Sequence, residues 1–222
     1  RLLLFFSIIT IGTPLLAQSG GQYLFSHLGT KDGLLSNNVL SVQQDPKGYI
    51  WVGSSAGLQR YDGKRFISFR HKANTQGTIL DGAVHIIQMD NKGRLWILFG
   101  GFRVGYMNTV DLSFHEVPVQ AHPDVLTRSK GGMLVDHDGN IMVVIVGHGV
   151  LVYNEEKKAF IQEEQIFHMP TNWKFYFVWQ DKLKNYWVGS DSGLVKFNTK
   201  NKSVSYRGHN TDNDPVINAF SD

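Results

Sequence analysis

The chain of 222 residues contains no cysteine. That excludes a disulfide framework, a thiolate zinc site, a cysteine nucleophile and a lipid-modified cysteine behind a leader. It has few prolines and no block of lysine or arginine, and its formal net charge is only +3. A nucleic-acid binder clusters its positive charge on one face, and nothing here does so. After the first 18 residues no apolar run approaches the roughly 20 residues a spanning helix needs. No amphipathic helix is legible there either. The histidines show no metal-ligand spacing, since His137 and His148 fall on turns at opposite ends of their strands. Asp136-His-Asp138-Gly-Asn140 has the look of a calcium loop but lacks the bidentate Glu at its end, and reads as a turn. No phosphate-binding glycine loop, phosphoacceptor histidine motif or Ser/His/Asp order is present. No cofactor is expected.

What is present is repetition. Asp45, Gly48, Trp51, Gly53, Gly57 and Tyr61 form one pattern. Asp90, Gly93, Trp96 and Tyr106 form the second. Asp136, Gly139, Met142 and Tyr153 form the third, and Asp181, Asn185, Trp187, Gly189, Gly193 and Phe197 the fourth. Val216-Ile-Asn-Ala-Phe-Ser-Asp222 opens a fifth. The spacing from Trp51 to Trp96, Met142 and Trp187 is about 45 residues, the length of a four-stranded propeller blade.

Each unit reads as four short strands. In the first, Asn38–Asp45 alternates apolar and polar residues. Asp45-Pro-Lys-Gly48 is a tight turn, and Tyr49–Val52, Leu58–Tyr61 and Arg65–Phe69 follow as strands, with a hairpin at Asp62-Gly63. The later first strands are Val84–Met89, Gly132–Val135 and Phe175–Gln180. The later fourth strands are Leu112–Val117, Ala159–Glu163 and Ser203–Arg207. A meander with two apolar faces must stack against others around an axis. The expected fold is therefore an all-β propeller of four-stranded antiparallel blades, with four full repeats (about 37–69, 82–117, 130–163 and 173–207) and the start of a fifth from 215. Such a ring is incomplete. Tyr23–Leu28 sits where a fourth strand would complete a last blade.

Trp51, Trp96 and Trp187 are expected to pack between blades. The recurring Asp45, Asp90, Asp136 and Asp181 are expected to cap turns rather than act as acids. Residues 1–18 read as a secretory signal: Arg1, an apolar stretch, Pro14, and a cut near Ala17 to Ser19. An uncleaved anchor is the other reading.

Gly33-Leu-Leu-Ser-Asn37-Asn-Val39, Asp45…Gly48…Trp51-Val-Gly53 and Gly57-Leu-Gln-Arg-Tyr61-Asp62 together resemble the two-component regulator propeller repeat. Leu35 stands where that repeat has Pro, Met142 where it has Trp, and Ile97-Leu98-Phe99 where it has Val-Gly. The resemblance implies the periplasmic sensor of a Bacteroidetes hybrid two-component histidine kinase. Its implied partners are an oligosaccharide ligand and a second copy in a homodimer, with membrane contact only through a downstream helix and no direct contact with nucleic acid. The full-length protein would then lie in the inner membrane. This segment itself would be non-enzymatic.

The loop entering the first strand and the loop between the second and third strands share one end of a blade. That end is the expected ligand face. Its candidates are Asn38, Arg103, Arg128, His148, Asn172 and Trp173, residue types that hydrogen-bond or stack on sugars. Asn37, Ser54, Ser55, Asn74 to Gln76, Asp191 and Ser192 share the face. Two other readings stay open. One is an exported propeller enzyme acting on polysaccharide, which needs an inward His, Glu or Asn cluster. The other is a binding or scaffolding propeller without signalling.

Overall fold

The computed structural model describes residues 25–73, 75, 77–121, 126, 131–146, 149–162, 173–198 and 203–207. They build four antiparallel sheets of four strands each, every one a simple meander. Blade 1 comprises β1 (Val39–Gln44), β2 (Ile50–Ser54), β3 (Gly57–Tyr61) and β4 (Phe66–Phe69). Blade 2 comprises β5 (Val84–Met89), β6 (Arg94–Phe99), β7 (Arg103–Asn108) and β8 (Phe114–Val117). Blade 3 comprises β9 (Gly131–Val135), β10 (Ile141–Ile145), β11 (Gly149–Asn154) and β12 (Ala159–Gln162). Blade 4 comprises β13 (Phe175–Gln180), β14 (Asn185–Ser190), β15 (Gly193–Asn198) and β16 (Ser203–Arg207). The propeller arc so formed is open. The leader, Tyr23 and the fifth repeat lie outside the described residues.

Strand bounds fall within a residue or two of expectation, and two differences have a clear cause. Leu112 is not in a strand: it sits in a left-handed turn at φ 62 with its amide on the Asn108 carbonyl, so β8 starts at Phe114. Residues 25–28, expected as a fourth strand, carry no pairing, and Phe25 is 95% exposed. A strand needs a neighbour for its backbone groups, and among the described residues none lies alongside.

First strands pack on first strands, β1 against β5, β5 against β9 and β9 against β13. They therefore line the axis. Between blades 1 and 2, Trp51 and Leu58 meet Val84, Ile87, Leu95, Ile97 and Phe99. Between blades 2 and 3, Trp96, Leu98 and Val104 meet Met133, Ile141, Val143 and Phe160. Between blades 3 and 4, Leu134, Met142 and Val144 meet Val178, Tyr186 and Val188. Trp51 and Trp96 thus pack between blades as expected, both fully buried. Trp187, on the outer flank of blade 4, is half-buried with the Lys196 ammonium 5.3 Å from its ring centroid.

The glycines follow from this stacking. At Gly53 a Cβ would lie 2.6 Å from Val84 Cγ1. At Gly105 it would lie 2.3 Å from Phe114 and 2.5 Å from the His115 carbonyl oxygen. Both positions need a bare Cα because a neighbouring chain passes directly over them.

Candidate functional site at the ends of the inner strands

The recurring aspartates build one end of every blade. Oδ1 of Asp45 accepts from the Lys47 and Tyr49 amides at 2.9 and 3.0 Å, and Oδ2 accepts the Trp51 indole N–H at 2.9 Å. Asp90 repeats this with Lys92, Arg94 and Trp96. Asp181 repeats it with Leu183, Asn185 and Trp187. The carboxylate thus closes the β1–β2-type turn and fixes the rotamer of the tryptophan, which in blades 1 and 2 packs on a neighbouring blade. Hydrogen bonds from Asn185, then Trp187, hold Asp181 well below the usual carboxylate value, at about 2.

Blade 3 has Met142 in place of Trp, and its Asp136 Oδ2 instead accepts from Asn140 Nδ2 and from the Tyr186 hydroxyl of blade 4. Burial first, and then this bond to Asp136, push the Tyr186 phenol far above its ordinary value. A second set of cross-blade contacts joins blades 2 and 3. Glu155 accepts from Lys92 and from Arg94, while Arg94 also bonds Asp90 at 2.6 Å. Nothing in the local sequence around Glu155 marks it for a partner. It is nonetheless an inter-blade anchor, held below the ordinary carboxylate value chiefly by the Arg94 hydrogen bond.

At the opposite end, the structure brings the entry loop and the second turn together as expected. Ser36 Oγ lies 2.9 Å from Ser55 Oγ, and the Ser55 amide donates to the Asn38 carbonyl. Asn38 is exposed there, while Asn37 Oδ1 is occupied by the Thr30 amide. Ser54 is buried, donating to the Gly57 carbonyl. Arg103 is exposed and bonds the Asp81 carbonyl. It also borders a groove of about 450 Å³ with Phe102, Glu116, Pro118 and Leu126. Trp173 is buried at 5% exposure, leaving little of its face open. Asp191 accepts from the Lys174 amide. Arg128, His148, Asn172, Asn74 and Gln76 lie outside the described residues, and so does any gathering of them with Asn38 and Arg103.

A cavity of about 430 Å³ lies at the other end of the axis, lined by residues of all four blades. Gln43, Gln88, Leu134 and Trp179 contribute from the four first strands. They are equivalent positions, each paired across the ladder with Trp51, Trp96, Met142 or Trp187. Sequence reasoning placed ligands at the other face and missed these four. The signal was available: each stands eight residues before the recurring Trp or Met. His137, Gln180 and Lys182 complete the polar wall. Among the described residues no group of three or more His, Asp or Glu side chains is placed to hold a metal.

The model of the two-component regulator propeller matches residues 33–56, the lead-in and first two strands of blade 1. Residues 33–56 are thus similar to the two-component regulator propeller repeat. The regulator-repeat features of blade 1, the capping aspartate and the indole it holds, recur in blades 2 and 4 with the same hydrogen bonds. A segment of 74 residues is 30% identical to histidine kinase P4 of Formosa agariphila, covering 33% of this chain and 5% of that protein. The fold is shared with the extracellular domain of a B. thetaiotaomicron protein assigned to the hybrid two-component systems. That likeness has a TM-score of 0.57 at 18% identity, over 77% of this chain and 25% of that one. Virginiamycin B lyase from Staphylococcus aureus has the same TM-score of 0.57 at 12% identity, over 78% of this chain and 56% of that one. The chain therefore spans a small part of the first two and about half of the third. At these identities the structural likenesses establish the propeller fold. No helix among the described residues is long and apolar enough to cross a membrane.

Proposed function

We propose that this chain is part of the periplasmic sensor of a hybrid two-component signalling protein, and that the sensor recognises an oligosaccharide and passes the signal to a histidine kinase. The observation that carries the reading is the regulator propeller repeat in blade 1. Its capping aspartate and inter-blade tryptophan recur in blade 2. The local match to a histidine kinase points the same way. On this reading the propeller binds without turnover and works as one of a pair of protomers. Ligand can shift the arrangement of the pair only by as much as it prefers one arrangement over the other.

The test is ligand-dependent autophosphorylation of the full-length protein in proteoliposomes, screened against an oligosaccharide panel. One oligosaccharide class should change the rate at constant ATP. A protein that consumes the sugar, or one whose phosphorylation ignores every sugar it binds, would refute the reading.

A further inference from the structure

The axial cavity at the aspartate-turn end has a donor pattern that can be worked out from its hydrogen bonds. The His137 backbone amide donates to Gln180 Oε1 at 2.7 Å, which fixes the orientation of that side-chain amide. The same oxygen lies 2.8 Å from His137 Nδ1. A carbonyl oxygen only accepts, so Nδ1 carries the proton, and Nε2 of the neutral ring is left as an acceptor. Gln88 Oε1 takes the Val135 amide of the next blade, which leaves its Nε2 as a donor without a partner among the described residues. Lys182 makes no ion pair among the described residues, while its neighbour Lys184 is paired with Asp138. Among the described residues no carboxylate lines the cavity. The Asp136 and Asp181 carboxylates are turned into their own turns by the amides they accept. The Trp179 indole lines the cavity as an apolar wall.

An unpaired ammonium, an amide donor and an imidazole acceptor beside an aromatic face match a polyhydroxylated ring bearing one negative charge. We infer that this cavity is a binding site for the acidic unit of an oligosaccharide, a uronate. Lys182 takes the carboxylate, the Gln43 and Gln88 amides and His137 Nε2 take hydroxyls, and the ring lies against Trp179. The inference rests on the oligosaccharide-sensing reading and adds to it a place and a charge. The place is the opposite end of the axis from Asn38 and Arg103.

The experiment is calorimetric titration of the complete extracellular region with oligogalacturonates and oligoglucuronates of two to four units, and with the neutral oligosaccharides of the same linkage. Lys182→Met and Gln43→Ala are the variants, since both side chains are outside the packed core and folding is checked by circular dichroism. The expected result is preference for the acidic series. Lys182→Met should lose about tenfold or more of that affinity, the effect of one hydrogen bond to a charged group, and keep any neutral-sugar binding. Gln43→Ala should weaken both series. Binding of an oligosaccharide that neither variant changes would overturn the site and leave the sensing reading standing. A preference for neutral sugars would overturn the uronate assignment. Failure of every sugar to bind the folded protein would overturn both readings.

Discussion

Replacing Tyr186 with Phe isolates the contact that substitutes for the missing tryptophan of blade 3. The ring stays in place among Leu134, Met142, Val144 and Val188, so packing is nearly unchanged. What is lost is the hydroxyl that donates to Asp136 Oδ2. That oxygen keeps Asn140 Nδ2, and Oδ1 keeps the Asp138 and Asn140 amides. The carboxylate is weakened but not orphaned, so the cost is that of one charge-assisted hydrogen bond, about 1.5–3 kcal/mol. A pH signature accompanies it. The folded-state phenol is raised above its ordinary value of 10.0. Above pH 10 the unfolded chain ionises Tyr186 while the folded chain holds the proton. The native state then binds more protons, and stability falls as pH rises, by about 1.4 kcal/mol per pH unit from this group. Its contribution is fully present below pH 10. Urea unfolding of wild type and Tyr186→Phe between pH 7 and 11 measures both effects. The two proteins should differ at pH 7 and converge above pH 10. An Asp136→Asn background should shrink the effect of the substitution. Equal stability at pH 7, or a gap that persists unchanged at pH 11, would refute the assignment of this bond as the inter-blade clamp.

Other outcomes follow from the same turns. Trp51→Phe should destabilise more than Trp96→Phe in parallel urea titrations. Asp45 Oδ2 loses the indole that holds it, whereas Asp90 Oδ2 retains Arg94 Nε at 2.6 Å; each costs about 2–4 kcal/mol from lost packing and a lost donor. Gly105→Ala should lower the unfolding free energy by about 1–3 kcal/mol, an overpacking cost, because a Cβ there meets the His115 carbonyl at 2.5 Å. Asp181, with its pKa depressed to about 2, contributes stability that is present above its ordinary value of 3.8 and lost as pH falls through about 2. Carboxyl-carbon NMR should show that late titration, and Asp181→Asn should flatten the acid limb of the stability curve.

The fold was open to sequence reasoning because its signals are local and repeated. Asp45, Gly48 and Trp51 lie within one hairpin, and a turn-capping carboxylate needs no knowledge of the rest of the chain. The period then forces stacking, since no single meander covers both its faces. Sites are less visible because they depend on which blade meets which. Tyr186 reaching Asp136, and Glu155 reaching Lys92 and Arg94, join residues 50 and about 60 positions apart. Neither partner carries a mark of the other. The axial cavity is harder still: Gln43, Gln88, Leu134 and Trp179 differ in chemistry, and only the shared ladder position makes them a set. The expected ligand face was inferred from strand direction. That put Asn38 and Ser55 at one end, where the Ser55 amide meets the Asn38 carbonyl, but it does not rank that end against the other.

The most direct test of the sensor account is calorimetry on the complete extracellular region with a glycan panel, followed by chromatography of the sugar recovered from the cell. The account predicts saturable binding of one oligosaccharide class at one site per protomer, with the sugar recovered intact. Cleaved or eliminated product would contradict it and make the propeller an enzyme.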